Sequence, residues 1–175
     1  MKVYLGDTPV FLTGKRPKEG DRLDRNLELT PAFNTKSKRV HLKDQNELLF
    51  ISTLPNVKSF ACSAQVLDLE EEIKKRKIPA KIIHLASCGK DSWMEIKKLH
   101  PHLKAKGYSL QNGKKEDVSY LKDSLGVGVS QSHRLAHGLF VLRNGTVIAS
   151  YIPKQQYGVP NIKRFLNRIE KYGSF

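Results

Sequence analysis

The sequence predicts an α/β fold in which a central mixed sheet is flanked by helices. Two apolar runs without alternation, at residues 48–53 and 82–86, are typical of strands that are buried on both faces. Each run is followed by a stretch with helical patterning. Further on, Asn144-Gly145 separates two more apolar runs, which predicts an antiparallel hairpin at the end of the sheet.

The remaining elements follow from local patterns along the chain. The segments Val3-Tyr4-Leu5 and Val10-Phe11-Leu12, separated by Gly6-Asp7, predict an N-terminal β-hairpin. Short strands are expected at residues 27–29 and 108–110, and a basic loop at residues 34–44. The predicted helices are residues 63–77 before Pro79, 91–99 capped by Asp91 or Ser92, 115–125 ending at Gly126, and 159–172 with Pro160 in the first turn.

Length and composition limit the classes of protein that fit. The chain has 175 residues, and we expect a single domain spanning residues 1–175. It has no apolar stretch of transmembrane length and no signal-peptide pattern at its start, so we expect a cytoplasmic protein without membrane contact. The net charge of +14 is compatible with nucleic-acid binding. However, the lysines are dispersed along the chain, and no aromatic residues interleave with a basic tract, as binding to a single strand would require. We therefore do not expect nucleic-acid binding.

Cys62 has the strongest chemical signal of any residue in the sequence. It lies at a predicted strand-to-helix junction, where unpaired amides and the helix dipole favour thiolate over thiol. Lys58, one turn earlier, is a candidate cation, and together these features predict a Cys62 thiol with a lowered pKa. The alternative interpretation is an inert, buried apolar cysteine.

Pro55, Ser59 and Cys62 match the pattern Pro-x-x-x-Ser/Thr-x-x-Cys, which is the peroxidatic motif of peroxiredoxins. Proline lacks an N–H and can form a wall over the sulfur, while a hydroxyl can hydrogen-bond a thiolate and a peroxide oxygen. The chain resembles the atypical two-cysteine thiol peroxidases, a bacterial branch of that family. The further matching segments are Gly6 to Val10, Leu12-Thr13-Gly14, Gly20-Asp21 and Gly126-Val127-Gly128-Val129.

This resemblance implies a thioredoxin-like fold with an N-terminal β-hairpin extension. It also implies a thiol peroxidase that reduces hydrogen peroxide or small organic hydroperoxides through Cys62 and is recycled by thioredoxin or a similar dithiol. The family requires no metal and no organic cofactor. Because its members commonly form dimers, the resemblance also implies a homodimer.

The sequence departs from the family pattern at two functional positions. Peroxiredoxins carry an arginine at the start of the strand that here begins with Gly138, and the aligned residue is His137, with Arg134 as a nearby substitute. The usual resolving cysteine has no counterpart in residues 93–100. The second cysteine, Cys88, follows the neighbouring strand, so we expect it near Cys62 as a candidate resolving thiol or as an inert core residue.

The departure at His137 supports an alternative function, namely a catalytically weak or inactive redox sensor or interaction domain. A dithiol oxidoreductase is disfavoured because the chain has no Cys-x-x-Cys pair. The pair His100 and His102 lacks a third ligand nearby, so no metal site is expected.

Overall fold

A computed structural model describes residues 1–23, 25–29, 31–32, 38–43, 47–101 and 106–171 of the chain. Its strands are β1 (Lys2–Leu5), β2 (Thr8–Thr13), β3 (Asn26–Leu29), β4 (Lys38–His41), β5 (Leu48–Leu54), β6 (Ala80–Ala86), β7 (Lys106–Ser109), β8 (Gly128–Val129), β9 (Gly138–Arg143) and β10 (Thr146–Tyr151). Its helices are α1 (Phe60–Lys75), α2 (Lys90–Leu99), α3 (Lys115–Leu125) and α4 (Ile162–Lys171), with a 3-10 turn at Leu110–Asn112.

The central sheet has five strands in the order β10-β9-β5-β6-β7. Strand β5 lies in the middle, antiparallel to β9 and parallel to β6. Every residue of β5 is buried, since the sheet is covered on both faces. The predicted mixed α/β sheet flanked by helices is confirmed, and the thioredoxin-like arrangement places the ends of β5 and β6 side by side.

Alternate residues of β5 pack against different layers, as the period of two in a strand requires. One face of the sheet contacts α1 and α4 in a cluster that contains Leu48, Phe50, Leu69, Ile73, Leu139, Val141, Ile162, Phe165, Leu166 and Ile169. The other face packs on α3 and the N-terminal strands through a cluster that includes Leu49, Ile51, Ile83, Leu85, Leu121, Leu125, Phe140, Leu142, Val3 and Leu12.

The predicted N-terminal hairpin is present, and β2 also pairs with the two-residue strand β8. The hairpin β9–β10 turns at Asn144 and Gly145, whose φ angles of 51° and 77° suit the tight turn that this dipeptide predicts. The basic loop predicted at residues 34–44 is wrong in its described part, because Lys38–His41 forms β4 and pairs with β3. Residues 33–37 and 44 lie outside the described residues.

The helix boundaries differ from the predictions mainly at their starts. Helix α1 begins at Phe60 rather than at residue 63, so Cys62 belongs to its first turn. The N-cap of α2 is Gly89, and no side chain caps the helix, so the predicted cap at Asp91 or Ser92 is wrong. Helix α3 has its predicted bounds and ends at Gly126, whose φ of 66° is left-handed. No helix among the described residues is long and apolar enough to cross a membrane.

Candidate active site

The loop between β5 and α1 positions Cys62. Strand β5 ends at Leu54, Pro55 follows, and Ser59 is the N-cap of α1 in an extended conformation. The Oγ atom of Ser59 accepts the backbone N–H of Cys62 at 3.3 Å. Ser59 therefore fixes the first helical turn, in agreement with the preference for serine at helix N-caps.

The Cys62 side chain is fully buried. Burial raises the pKa of the Cys62 thiol, and hydrogen bonding by the Ser59 side chain and the Asn56 backbone opposes this effect only in part. The predicted lowering of this pKa is therefore wrong, because removal of the sulfur from water outweighs the interactions that favour the thiolate.

Lys58 is not the cation that the sequence suggested for Cys62. Its ammonium group lies 3.0 Å from Glu95 of α2 in an ion pair. Its charge acts on the thiol of Cys88, whose pKa burial raises and Lys58 helps to lower. For Cys62 the nearby positive charge is that of Arg134, which also favours the thiolate.

His137, immediately before β9, lies beside Cys62. Its Nε2 atom is 3.7 Å from the Sγ atom of Cys62, within hydrogen-bonding distance for sulfur. Burial lowers the pKa of His137 to about 4, and the charge of Arg134 adds to this effect. The imidazole is consequently neutral at physiological pH, so it offers the sulfur a hydrogen-bonding nitrogen and not a permanent charge.

Gln65 completes this group, although it belongs to none of the sequence motifs described above. The residue is fully buried one helical turn after Cys62, and its Oε1 atom lies 2.6 Å from Nδ1 of His137. Its Nε2 atom donates to Ser52 Oγ at 2.7 Å and to the Thr53 carbonyl at 3.1 Å. The spacing of three residues, which puts Cys62 and Gln65 on one helix face, is the signal that could have revealed it.

Gln156 holds the backbone of His137, and it was also missed. Its Oε1 atom accepts the N–H of His137 at 2.7 Å, and its Nε2 atom donates to the carbonyls of His137 and Pro153 at 3.3 and 2.8 Å. On the other side, the Thr53 hydroxyl donates to the carbonyl of Ala136 at 2.9 Å. The imidazole is thus fixed by bonds to its ring and to its main chain.

A cavity of about 430 Å³ adjoins the cysteine and the histidine. Ser59, Arg134, His137 and Gln156 supply its polar groups. Cys62 itself does not line the cavity, although its neighbour Ala61 and its partner His137 do. The remaining lining is mostly apolar and consists of Val3, Leu5, Val10, Leu12, Pro55, Phe60, Val129, Leu135, Ala136, Tyr157 and Gly158.

Cys88 lies two residues beyond the end of β6 and is partly buried. It packs against the apolar cluster that contains Cys62 and Trp93. A negative charge on Cys88 raises the pKa of Cys62, so the two free thiols are close enough to interact electrostatically. Ser87, which precedes Cys88, donates a hydrogen bond from its hydroxyl to the carbonyl of Pro55 at 2.7 Å. This bond joins the loops after β5 and β6.

The predicted site residues Pro55, Ser59, Cys62, Arg134 and His137 are therefore gathered at one end of the sheet, around or immediately behind the cavity. No group of three or more potential metal ligands occurs among His, Cys, Asp and Glu side chains in the part of the chain that the structure describes. His102, the second residue of the histidine pair, lies outside it.

Comparison with solved structures gives the same fold along nearly the whole chain. A peroxiredoxin-like protein from Aquifex aeolicus superimposes with a TM-score of 0.78 at 16% identity, covering 97% of this chain and 96% of that one. A thiol peroxidase from Chromobacterium violaceum gives 0.79 at 14% identity, with 99% and 98% covered. The corresponding values for AhpC from Enterococcus faecalis are 0.68 at 15% identity, with 89% and 92% covered.

The chain has a peroxiredoxin-like fold. No protein-family model and no curated protein sequence matches it. At these identities the likeness concerns the fold, and the chemistry has to be argued from the side chains of this chain.

Proposed function

We propose that this protein is a member of the peroxiredoxin superfamily and acts as a thiol-dependent peroxidase. The observation that supports this most directly is the contact of 3.7 Å between Cys62 Sγ and His137 Nε2, next to a cavity that His137 lines. A nucleophilic sulfur with a hydrogen-bonding partner, at the start of a helix, is the arrangement that cysteine-based catalysis needs.

In the proposed reaction, the Cys62 sulfur attacks the O–O bond of hydrogen peroxide or a small organic hydroperoxide and becomes a sulfenic acid. Pro55 forms part of the wall of the cavity, and the Ser59 hydroxyl hydrogen-bonds the sulfur and the reacting oxygen. Arg134 lines the cavity and contributes a positive charge that favours the thiolate. His137 takes the place of the family arginine as a hydrogen-bonding group.

Recycling requires a second thiol. We propose that Cys88 condenses with the sulfenic acid to form a disulfide, or that an external thiol does so if Cys88 does not reach it. Thioredoxin or a similar dithiol then reduces the enzyme by thiol–disulfide exchange. This cycle needs no metal and no organic cofactor.

A peroxide sensor of low turnover is the second candidate function, and the complete burial of Cys62 favours it. A covered sulfur with a raised pKa reacts slowly with peroxide, because the thiolate is the nucleophile and its population is small. Such a protein would still be oxidised at Cys62, but its oxidation would serve as a signal and not as catalysis.

A peroxide-consumption assay with thioredoxin, thioredoxin reductase and NADPH separates the two functions. The peroxidase should consume many equivalents of peroxide, and Cys62→Ser should abolish consumption, whereas Cys88→Ser should still form one equivalent of sulfenic acid. Oxidation of Cys62 that stops after one equivalent, with either thioredoxin or dithiothreitol as reductant, would support the sensor. No oxidation of Cys62 would exclude both functions.

A further inference from the structure

The orientation of the Gln65 side-chain amide is determined by its buried partners. One end of the amide lies 3.1 Å from the backbone carbonyl of Thr53, which can only accept a hydrogen bond. The NH₂ group must therefore point toward Thr53 and Ser52. The carbonyl oxygen Oε1 is left facing Nδ1 of His137, 2.6 Å away.

This orientation fixes the tautomer of His137. An amide oxygen only accepts hydrogen bonds, so Nδ1 of His137 must carry the proton. A neutral imidazole has a single N–H, and the lone pair is consequently on Nε2, which faces Cys62 Sγ at 3.7 Å. The ring is thus arranged to accept a proton from the cysteine.

We propose that Gln65 is a positioning residue that holds His137 in its Nδ1–H tautomer, so that Nε2 accepts the Cys62 proton as the sulfur attacks peroxide. The sulfur bonds to one peroxide oxygen and the O–O bond breaks. The proton on Nε2 then passes to the departing oxygen, which leaves as water or an alcohol. Cys62 is oxidised to the sulfenic acid and the peroxide is reduced, with no other reactant. This inference rests on the proposed peroxidase function.

Proton transfer from Cys62 to His137 during the attack avoids the free-energy cost of ionising a buried thiol. A fully covered sulfur is not readily ionised in advance, and the neutral His137 gives it no compensating charge. Moving the proton only across one hydrogen bond, and only during the attack, avoids a long-lived buried thiolate. Gln65 matters because the opposite tautomer would point an N–H at the thiol and leave it without a proton acceptor.

The first test measures the tautomer directly, without peroxide. Two-bond ¹H–¹⁵N correlation spectra of the reduced full-length protein at pH 7 should show His137 protonated at Nδ1 only. Gln65→Met removes the acceptor and should give a mixture of tautomers or protonation at Nε2. Gln65→Glu keeps an acceptor for Nδ1, so Nδ1 should stay protonated, and the carboxylate should favour a second proton on Nε2 and raise the pKa of His137. Ser52→Ala is the matched control, because it removes a buried hydrogen bond of Gln65 while the Thr53 contact keeps the amide orientation.

The second test measures the reactivity of Cys62 in a Cys88→Ser background. Gln65→Met should slow both single-turnover oxidation by hydrogen peroxide and alkylation by iodoacetamide about tenfold or more, because Nε2 of His137 is then no longer held as a proton acceptor. The oxidation rate of the protein with Gln65 intact should stay level from pH 7 down to about 5 and fall as His137 becomes protonated near its pKa of about 4.

Protonation of His137 at Nε2 in the unsubstituted protein would overturn the inference, whatever the variants do. An unchanged tautomer and unchanged rates in a folded Gln65→Met protein would also overturn it. An Nδ1–H tautomer and Gln65-dependent alkylation, together with no oxidation by peroxide, would retain the positioning role and reject the peroxidase function. The two failures are therefore distinguishable.

Discussion

The ammonium group of Lys58 lies 3.0 Å from the carboxylate of Glu95, and this ion pair joins the loop before α1 to helix α2. Both side chains are about half exposed, so the pair contributes roughly 0–1 kcal/mol to the free energy of unfolding. Its position is more informative than its strength. Lys58 lies just before α1, whose first turn contains Cys62, and Cys88 lies two residues before α2, which contains Glu95. The ion pair therefore links the two segments that a disulfide would have to join.

We predict that one equivalent of peroxide produces an intramolecular Cys62–Cys88 disulfide. The two cysteines follow neighbouring parallel strands, and a first helical turn opens at little cost compared with global unfolding. Fraying of this turn would let the sulfurs approach and would expose the covered Cys62. Peptide mapping by mass spectrometry is the measurement. Recovery of Cys62 as a sulfinic acid or in intermolecular bonds, with Cys88 free, would indicate a one-cysteine system.

Ser59→Ala should affect both the helix and the thiol. The substitution removes the acceptor for the Cys62 N–H, and loss of such a cap costs about 1 kcal/mol of folding free energy. It also removes the side-chain interaction that most lowers the pKa of Cys62, so that pKa should rise further. Urea denaturation and the pH dependence of alkylation measure the two effects.

Ser59→Thr is the matched control, because threonine keeps the hydroxyl at the N-cap and should remain close to the unsubstituted protein in both measurements. A Ser59→Ala protein with unchanged stability and unchanged alkylation would show that the Ser59 hydroxyl has neither role.

The main features of the sheet could be predicted because they depend on local sequence. Unbroken apolar runs predict buried strands such as β5, and Asn144-Gly145 predicts a turn that needs two positive φ angles. By contrast, β4 was missed because Lys38–His41 is strongly basic and has no apolar alternation, so its pairing with β3 is not visible in its own residues. The two-residue strand β8 is too short to produce a pattern.

The active site was predictable only in part. Pro55, Ser59 and Cys62 form a local pattern, whereas Gln65 contacts a histidine 72 positions away, a separation that no local pattern encodes. The direction of the Cys62 pKa was predicted wrongly for a related reason. The helix start is visible in the sequence, but the burial that dominates the pKa depends on distant layers of the fold.

Gly126→Ala should destabilise the protein more than Gly6→Ala. The two glycines have nearly the same left-handed φ, 66° and 64°, which costs an alanine about 1–2 kcal/mol. A Cβ atom at Gly126 would lie 2.6 Å from the backbone nitrogen of Arg16, whereas a Cβ at Gly6 would meet nothing within 4 Å. The difference in unfolding free energy should therefore reach about 1–3 kcal/mol. Equal urea midpoints for the two variants would show that the backbone near Arg16 moves to accommodate the added Cβ atom without a cost in folding free energy.

Burial of His137 should make the protein less stable in mild acid. Its folded pKa of about 4 lies below that of an unfolded histidine, near ~6.5. Between these values the unfolded chain binds more protons than the folded one, so the free energy of unfolding falls as the pH drops. His137→Gln, which does not titrate, is the control. From pH 7 to pH 5, the unsubstituted protein should lose about 2 kcal/mol more than this variant in urea denaturation. If both proteins lose the same amount, the His137 imidazole is not held neutral by the fold.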